Sequence, residues 1–191
     1  MSQTKKFRAS FSILGLWANG DRDRAIAAYF KLDKFDSPQL LEGRKWHEYA
    51  RKYAEKNARL PEEFGGYLVP SNQAELKLTA QVEDWLEMVG ILDYLVEDTI
   101  VELKTGANDP KKMNGVGQVE FYALLCLANG IEVNKGVMIH YNQYTKETYS
   151  DSFWFTKKSL REAKEKIKDA AWDMHSYLVE NGLYDEYGAQ R

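Results

Sequence analysis

The stretch Gly90-Ile91-Leu92-Asp93-Tyr94-Leu95-Val96-Glu97-Asp98-Thr99-Ile100-Val101-Glu102-Leu103-Lys104-Thr105-Gly106 decides how this chain is read. Apolar runs flank Glu97-Asp98, which predicts two short strands joined by a tight polar turn, with Asp93 on the first and Glu102 and Lys104 on the second. Side chains alternate along a strand, so Glu102 and Lys104 share a face with Ile100, while Val101 and Leu103 take the opposite one. Two acids and a lysine then converge. Carboxylate oxygens are the hard ligands that Mg²⁺ or Mn²⁺ takes, and an ammonium beside them can hold an attacking water or the charge developing on a phosphate.

The E-x-K triplet occurs three times, so context has to choose among them. Glu162-Ala163-Lys164 lies on an amphipathic helix whose apolar positions are Leu160, Ala163, Ile167, Ala170, Met174 and Leu178, which puts its charges near the solvated face. Glu75-Leu76-Lys77 fits a half-buried strand, but a Gly65-Gly66 loop separates it from the acids upstream. Only the Glu102 triplet has an acid one strand away. Glu75 can still reach the site face, and ligation, orientation of His47 or plain exposure all remain open for it.

Around this hairpin the chain alternates helix and strand. Ser10 or Ser12 opens a short helix ending near Trp17, and a second runs around Arg24 to Phe30, so the entry reads as helical. Ser37-Pro38 starts a longer helix on which Leu40, Gly43, His47, Ala50 and Ala54 form one stripe. His47 therefore faces inward, as a core histidine or as a ligand. The Gly- and Pro-containing loop 61–70 and an alternating strand over 74–80 complete an antiparallel meander with the hairpin. After Asn114-Gly115 a helix runs to about Ala128, carrying Gln118 and Tyr122 one turn apart on one face. Strands around Val133 to Tyr141 and Phe153 to Phe155 precede a closing helix from about Lys157 to Glu180. His140 and His175 read as structural.

Taken together, Gly43 and His47, Gly90 to Asp93, Val101-Glu102-Leu103-Lys104-Thr105-Gly106, and Gln118 with Tyr122 match four motifs in order. The chain thereby resembles the PD-(D/E)XK nuclease superfamily, and within it the RecB-like exonuclease group that includes the iron-sulfur nucleases of CRISPR adaptation. The resemblance runs over roughly residues 10 to 180. It implies an α/β, restriction-endonuclease-like core, a mixed central sheet flanked by helices, with the site at one sheet edge. It implies a divalent metal, Mg²⁺ or Mn²⁺, held by His47, Asp93, Glu102 and the backbone carbonyl of Leu103, with Lys104 adjacent. Gln118 and Tyr122, an amide and a phenol on one helical face beside such a site, read as DNA contacts or as a surface glutamine with a core-packing tyrosine. The imidazole would make such a site somewhat more hospitable to Mn²⁺. The implied substrate is DNA, single-stranded or with free ends, in recombination, repair, phage replication or CRISPR spacer processing.

The departures are informative too. The iron-sulfur relatives use four cysteines, whereas the single Cys126 here lies in an apolar run and reads as a buried thiol, so no iron-sulfur cluster is expected. Contacts of Phe11, Leu14, Leu16 and Trp17 with Trp172, Met174 and Leu178 are expected to fasten the termini instead. Lys157, Lys158, Arg161, Lys164, Lys166 and Lys168 are either part of a strand-admitting arch or an ordinary solvated face. No phosphate-cradling G-x-x-x-x-G-K-[ST] sequence is present, so a helicase or recombination partner would be a separate chain. A non-catalytic DNA-end-binding protein and an accessory subunit of a helicase-nuclease are the competing readings.

With 191 residues, 44% of them hydrophobic, the whole chain is expected to be one domain. A formal charge of −3 excludes coating of nucleic acid through bulk charge, so any contact with DNA must be local. Apolar stretches are too short to span a bilayer and no signal-type core follows Met1 to Arg8, which gives the expectation of a cytoplasmic protein without a membrane partner.

Overall fold

The computed structural model of the chain describes residues 6–32, 38–69, 74–106 and 115–187. Ser37 and Asn114, singled out from the sequence, and Pro70 at the end of the 61–70 loop lie outside the described residues. The central hairpin forms as expected, with β3 (Leu86–Val96) and β4 (Thr99–Thr105) antiparallel in the register Tyr94↔Val101, Leu95↔Ile100 and Val96↔Thr99. Glu97 takes the left-handed backbone conformation, φ +54°, that so tight a turn requires.

Three strands meet β3. Antiparallel β2 (Ala74–Glu83) runs along one side of it, from Leu86 to Tyr94. The other side is shared, because parallel β1 (Phe7–Ser10) pairs with Leu86 to Val89 and β4 pairs with Tyr94 to Val96. Residues 90–93 of β3 therefore face a break between β1 and β4 on that side. Beyond β4 the sheet continues through parallel β5 (Lys135–Asn142) and antiparallel β6 (Glu147–Trp154).

Helices cover both faces, as the buried strands demand. On one face α1 (Phe11–Ala18), α2 (Arg22–Phe30), α4 (Gln118–Ala128), α5 (Lys157–Glu180) and the short α6 (Leu183–Tyr187) enclose the larger core, which takes Met88, Leu92, Ile100 and Met138 from the sheet. On the other, α3 (Pro38–Asn57) and a single 3-10 turn at Glu62–Phe64 enclose a smaller core with Val101, Leu103, Val137 and Ile139. Ile100 and Val101 thus point to opposite layers, as the alternation required. Helix α4 lies close against the sheet at two glycines. A Cβ on Gly90 would stand 2.7 Å from Cε1 of Tyr122, and one on Gly136 2.7 Å from Cβ of Val119.

Some expectations need correction. The entry is not purely helical, since Phe7–Ser10 is a strand before Ser10 caps α1 by accepting the N–H of Ile13. Four residues are too few to show a period. Strand β6 runs from Glu147 to Trp154, so it starts well before Phe153 and leaves Phe155 out, and as an edge strand it is exposed almost throughout, with no apolar alternation to detect. The terminal contacts form, with different partners. Leu14, Trp17, Met174 and Leu178 share the larger core, but Trp17 donates its indole N–H to Asp173 (2.7 Å) and packs on Tyr177, while Trp172 lies against Trp85. Cys126 is fully buried, and burial pushes its thiol up to about 11. Among the described residues no helix is long and apolar enough to cross a membrane.

Candidate active site

The break beside β3 is where the expected side chains meet. The β3–β4 ladder ends at Tyr94↔Val101, and past it the Leu103 backbone N–H donates to Oδ2 of Asp93 at 2.8 Å. A carboxylate has taken the place of a neighbouring strand. The site is consequently not at a sheet edge, as the sequence suggested, because β3 and β4 both have strands on either side. It occupies an internal opening, which β1 and β4 create by sharing one side of β3.

Helix α3 brings His47 to this opening from the smaller layer. Its Nδ1 stands 3.2 Å from Oδ1 of Asp93. One turn earlier, a Cβ on Gly43 would be 3.1 Å from Oγ1 of Thr105, so the missing side chain lets α3 settle against the exit of β4. Burial disfavours a proton on His47, the hydrogen bond and charge of Asp93 favour one, and the balance leaves its pKa above the ordinary value.

Glu102 is the most enclosed acid, 3% exposed. Its Oε1 accepts from Lys104 Nζ at 2.8 Å and from Gln118 Nε2 at 2.6 Å, and Gln118 also donates to the Tyr122 hydroxyl at 2.7 Å. Burial, reinforced by the charge on Asp93, raises the Glu102 carboxyl to about 7 against the pull of Lys104. Tyr122 is itself buried, and its phenol is held far above its usual range, so it stays protonated. Gln118 is therefore bound to the acid, and Tyr122 to Gln118, in positions where the sequence had offered contact with DNA or a surface glutamine beside a core tyrosine.

For a metal the donor set is mixed. Oε2 of Glu102 is buried and accepts no hydrogen bond from the described residues, which leaves a hard oxygen lone-pair site uncommitted. The other carboxylate oxygens are turned to protein donors, and among the described residues no group of three His, Cys, Asp or Glu side chains is already gathered as a metal cage. Carboxylate oxygens and an imidazole are donor types that suit a divalent ion.

Two clefts open on the site, and Lys104 lines both. The first, about 530 Å³, is walled by Gly43, Arg44, His47, Glu48, Glu75 and Thr105. Glu75 sits here with φ +51° and its carboxylate 3.8 Å from Arg51 Nε, so it faces the cleft without orienting His47. The second, about 550 Å³, lies on the α1–α4 side and includes Gln118 and Tyr122. Among the described residues, none of the basic residues of α5 lines either cleft; Lys158 pairs with Glu162 on the helix itself, and Lys168 pairs with Glu165 and with Glu83 of β2. His140, the partner of Lys104 in the β4–β5 register, stacks on Tyr149, and His175 bonds Tyr184 in the larger core.

No family model matches the chain, and no curated protein matches it in sequence. Solved structures do. A candidate exonuclease from Eubacterium rectale is 16% identical with a TM-score of 0.57, covering 91% of this chain and 81% of its own. The alkaline exonuclease LHK-Exo of Laribacter hongkongensis, solved with dAMP, is 9% identical with a TM-score of 0.52, covering 97% of this chain and 95% of its own. At such identities the likeness is one of fold. The six-stranded mixed sheet between two helical layers is a fold shared with these structures.

Proposed function

We propose that this chain is a divalent-metal-dependent DNA nuclease, an exonuclease or flap-type enzyme that hydrolyses phosphodiester bonds. The observation that carries the reading is the meeting of His47, Asp93, Glu102 and Lys104 at an internal opening of the sheet, with a buried Glu102 oxygen left without a donor. The exonuclease-like fold supports it, and the dAMP found with LHK-Exo makes a nucleotide a sensible product.

His47, Asp93, Glu102 and the Leu103 carbonyl would hold Mg²⁺ or Mn²⁺, which when bound supplies an acidified water and positive charge beside the phosphoryl oxygens. The chain's own groups do the rest. Lys104, tethered to Glu102, stands at the junction of both clefts, where its ammonium can hold the attacking water or offset charge on the phosphate. Gln118 fixes the orientation of the Glu102 carboxylate, and Tyr122 fixes Gln118. Gln118 and Tyr122 also line the second cleft, so contact with DNA remains part of their role.

End-labelled single- and double-stranded DNA incubated with Mg²⁺, Mn²⁺ or chelator tests the proposal. Cleavage should require metal, and Asp93→Ala, Glu102→Ala or Lys104→Ala should each slow it by about a hundredfold or more in a folded protein. A loss of only a fewfold would overturn the assignment. Binding of DNA ends by wild-type protein without cleavage would replace it with a non-catalytic or accessory role.

A further inference from the structure

The second cleft differs from the first in its charge. The first mixes Arg44 and Lys104 with Glu48 and Glu75, whereas the second carries Arg8, Lys31, Lys77 and Lys104 and no carboxylate side chain in its lining. In a chain of net charge −3 this is a local reversal of sign. Two of its cations are already engaged, Arg8 with Glu87 at 2.9 Å and Lys104 with Glu102 at 2.8 Å. Lys31 and Lys77 are exposed and have no ion-pair partner among the described residues.

The floor is apolar at one point. Ile91 is 53% exposed, directly opposite Lys77 in the β2–β3 ladder, and Phe11 lines the same cleft. An exposed isoleucine ringed by ammonium groups suits a ligand with a flat apolar part and a repeated negative charge. The cleft stands over the break between β1 and β4, with Lys104 as its inner wall. At about 550 Å³ it has the size of a site for a small organic ligand, which typically measures about 300–1,000 Å³.

We propose that this cleft holds the nucleic-acid strand next to the bond to be cut, with backbone phosphates on Lys31 and Lys77 and a base against Ile91 and Phe11. The strand thus approaches Lys104 from the α1–β2 side, and the α3 cleft of mixed charge lies beyond the reacting phosphate. The inference deepens the nuclease reading and rests on it for the identity of the polyanion.

The test is fluorescence anisotropy of a labelled oligo-dT in chelator, over a range of KCl, so that binding is read without cleavage. Lys31→Gln/Lys77→Gln should weaken binding by about fivefold or more and reduce the magnitude of the slope of log K against log[KCl] by about 1.4, from two contacts at about 0.7 each. Lys45→Gln/Lys146→Gln, beside Trp46 on the α3 side, should change neither quantity. Ile91→Asp should weaken oligo-dT binding, and inorganic polyphosphate should compete poorly. Unchanged affinity and slope in the Lys31/Lys77 pair, with an unchanged melting temperature, would overturn the proposal, as would an equal loss in the Lys45/Lys146 pair or polyphosphate binding as tight as oligo-dT. The two readings fail separately. Metal-dependent cleavage with intact binding by the Lys31/Lys77 variant removes only the cleft, whereas cleft-dependent binding without cleavage removes only the nuclease.

Discussion

Gln118 donates from Nε2 to Oε1 of Glu102 at 2.6 Å, a bond that spans the larger helical layer and the central strand. Gln118→Ala should lower stability by about 1–3 kcal/mol, because it withdraws a donor from a buried acceptor. Cleavage should fall more than DNA affinity does. Denaturant unfolding run beside anisotropy and cleavage assays checks this. Unchanged stability with lost affinity would instead assign Gln118 to DNA.

Gly90→Ala should destabilise the fold by about 1–3 kcal/mol, since the new Cβ would meet Cε1 of Tyr122 at 2.7 Å and Cδ1 of Leu125 at 2.8 Å. Thermal melting measures it. A fully stable Gly90→Ala protein would show that α4 can retreat from the sheet, and in that case the Gln118–Glu102 bond should be lost and activity with it.

His47→Ala should weaken Mn²⁺ binding by about tenfold or more in calorimetry, whereas substitution of His140 or His175 should leave it unchanged. The imidazole lies 3.2 Å from Asp93, whereas His140 is stacked on Tyr149 and His175 is bonded to Tyr184. Manganese affinity that survives His47→Ala would make this a core histidine.

His175 sets a pH dependence of stability. Its ring is packed among Phe7, Trp85, Trp172 and Tyr184, and burial lowers its pKa below the ordinary 6.5. A depressed value means that the unfolded chain takes up the proton first, so the stability contributed by the neutral ring is present above 6.5 and is lost as pH falls through the folded value. Melting temperatures from neutral pH down to about pH 5 should fall more steeply for wild type than for His175→Phe. Parallel curves would refute the assignment.

The hairpin was legible because Asp93, Glu102 and Lys104 lie within one local unit whose turn and alternation are short-range properties. His47 was legible through the stripe containing Gly43, Ala50 and Ala54, although Leu40, placed on the same stripe, is 45% exposed. The break beside β3 was not. It depends on Phe7–Ser10 pairing in parallel with a strand far along the chain, and parallel pairing leaves no turn signal. For the same reason the grouping of Arg8, Lys31 and Lys77 is not visible in sequence, since only β1, the end of α2 and β2 acting together gather them. Gln118 was noticed for the right spacing, but its bond to Glu102 is a tertiary fact that no spacing reveals.

The two layers are unequal, and this gives the site a fast side and a slow side. Asp93, Glu102, Lys104 and Gln118 belong to the sheet and to the layer with the extensive core, whereas His47 rides on a helix whose buried anchors are Ala50 and Ala54 above a smaller cluster. Local opening free energies follow buried apolar contact. Amides of α3 should therefore exchange with solvent well before those of α4 and α5, with one would-be metal ligand leaving while the other three stay. Capture of an ion would then act as a latch, slowing exchange in α3 without altering it in α5.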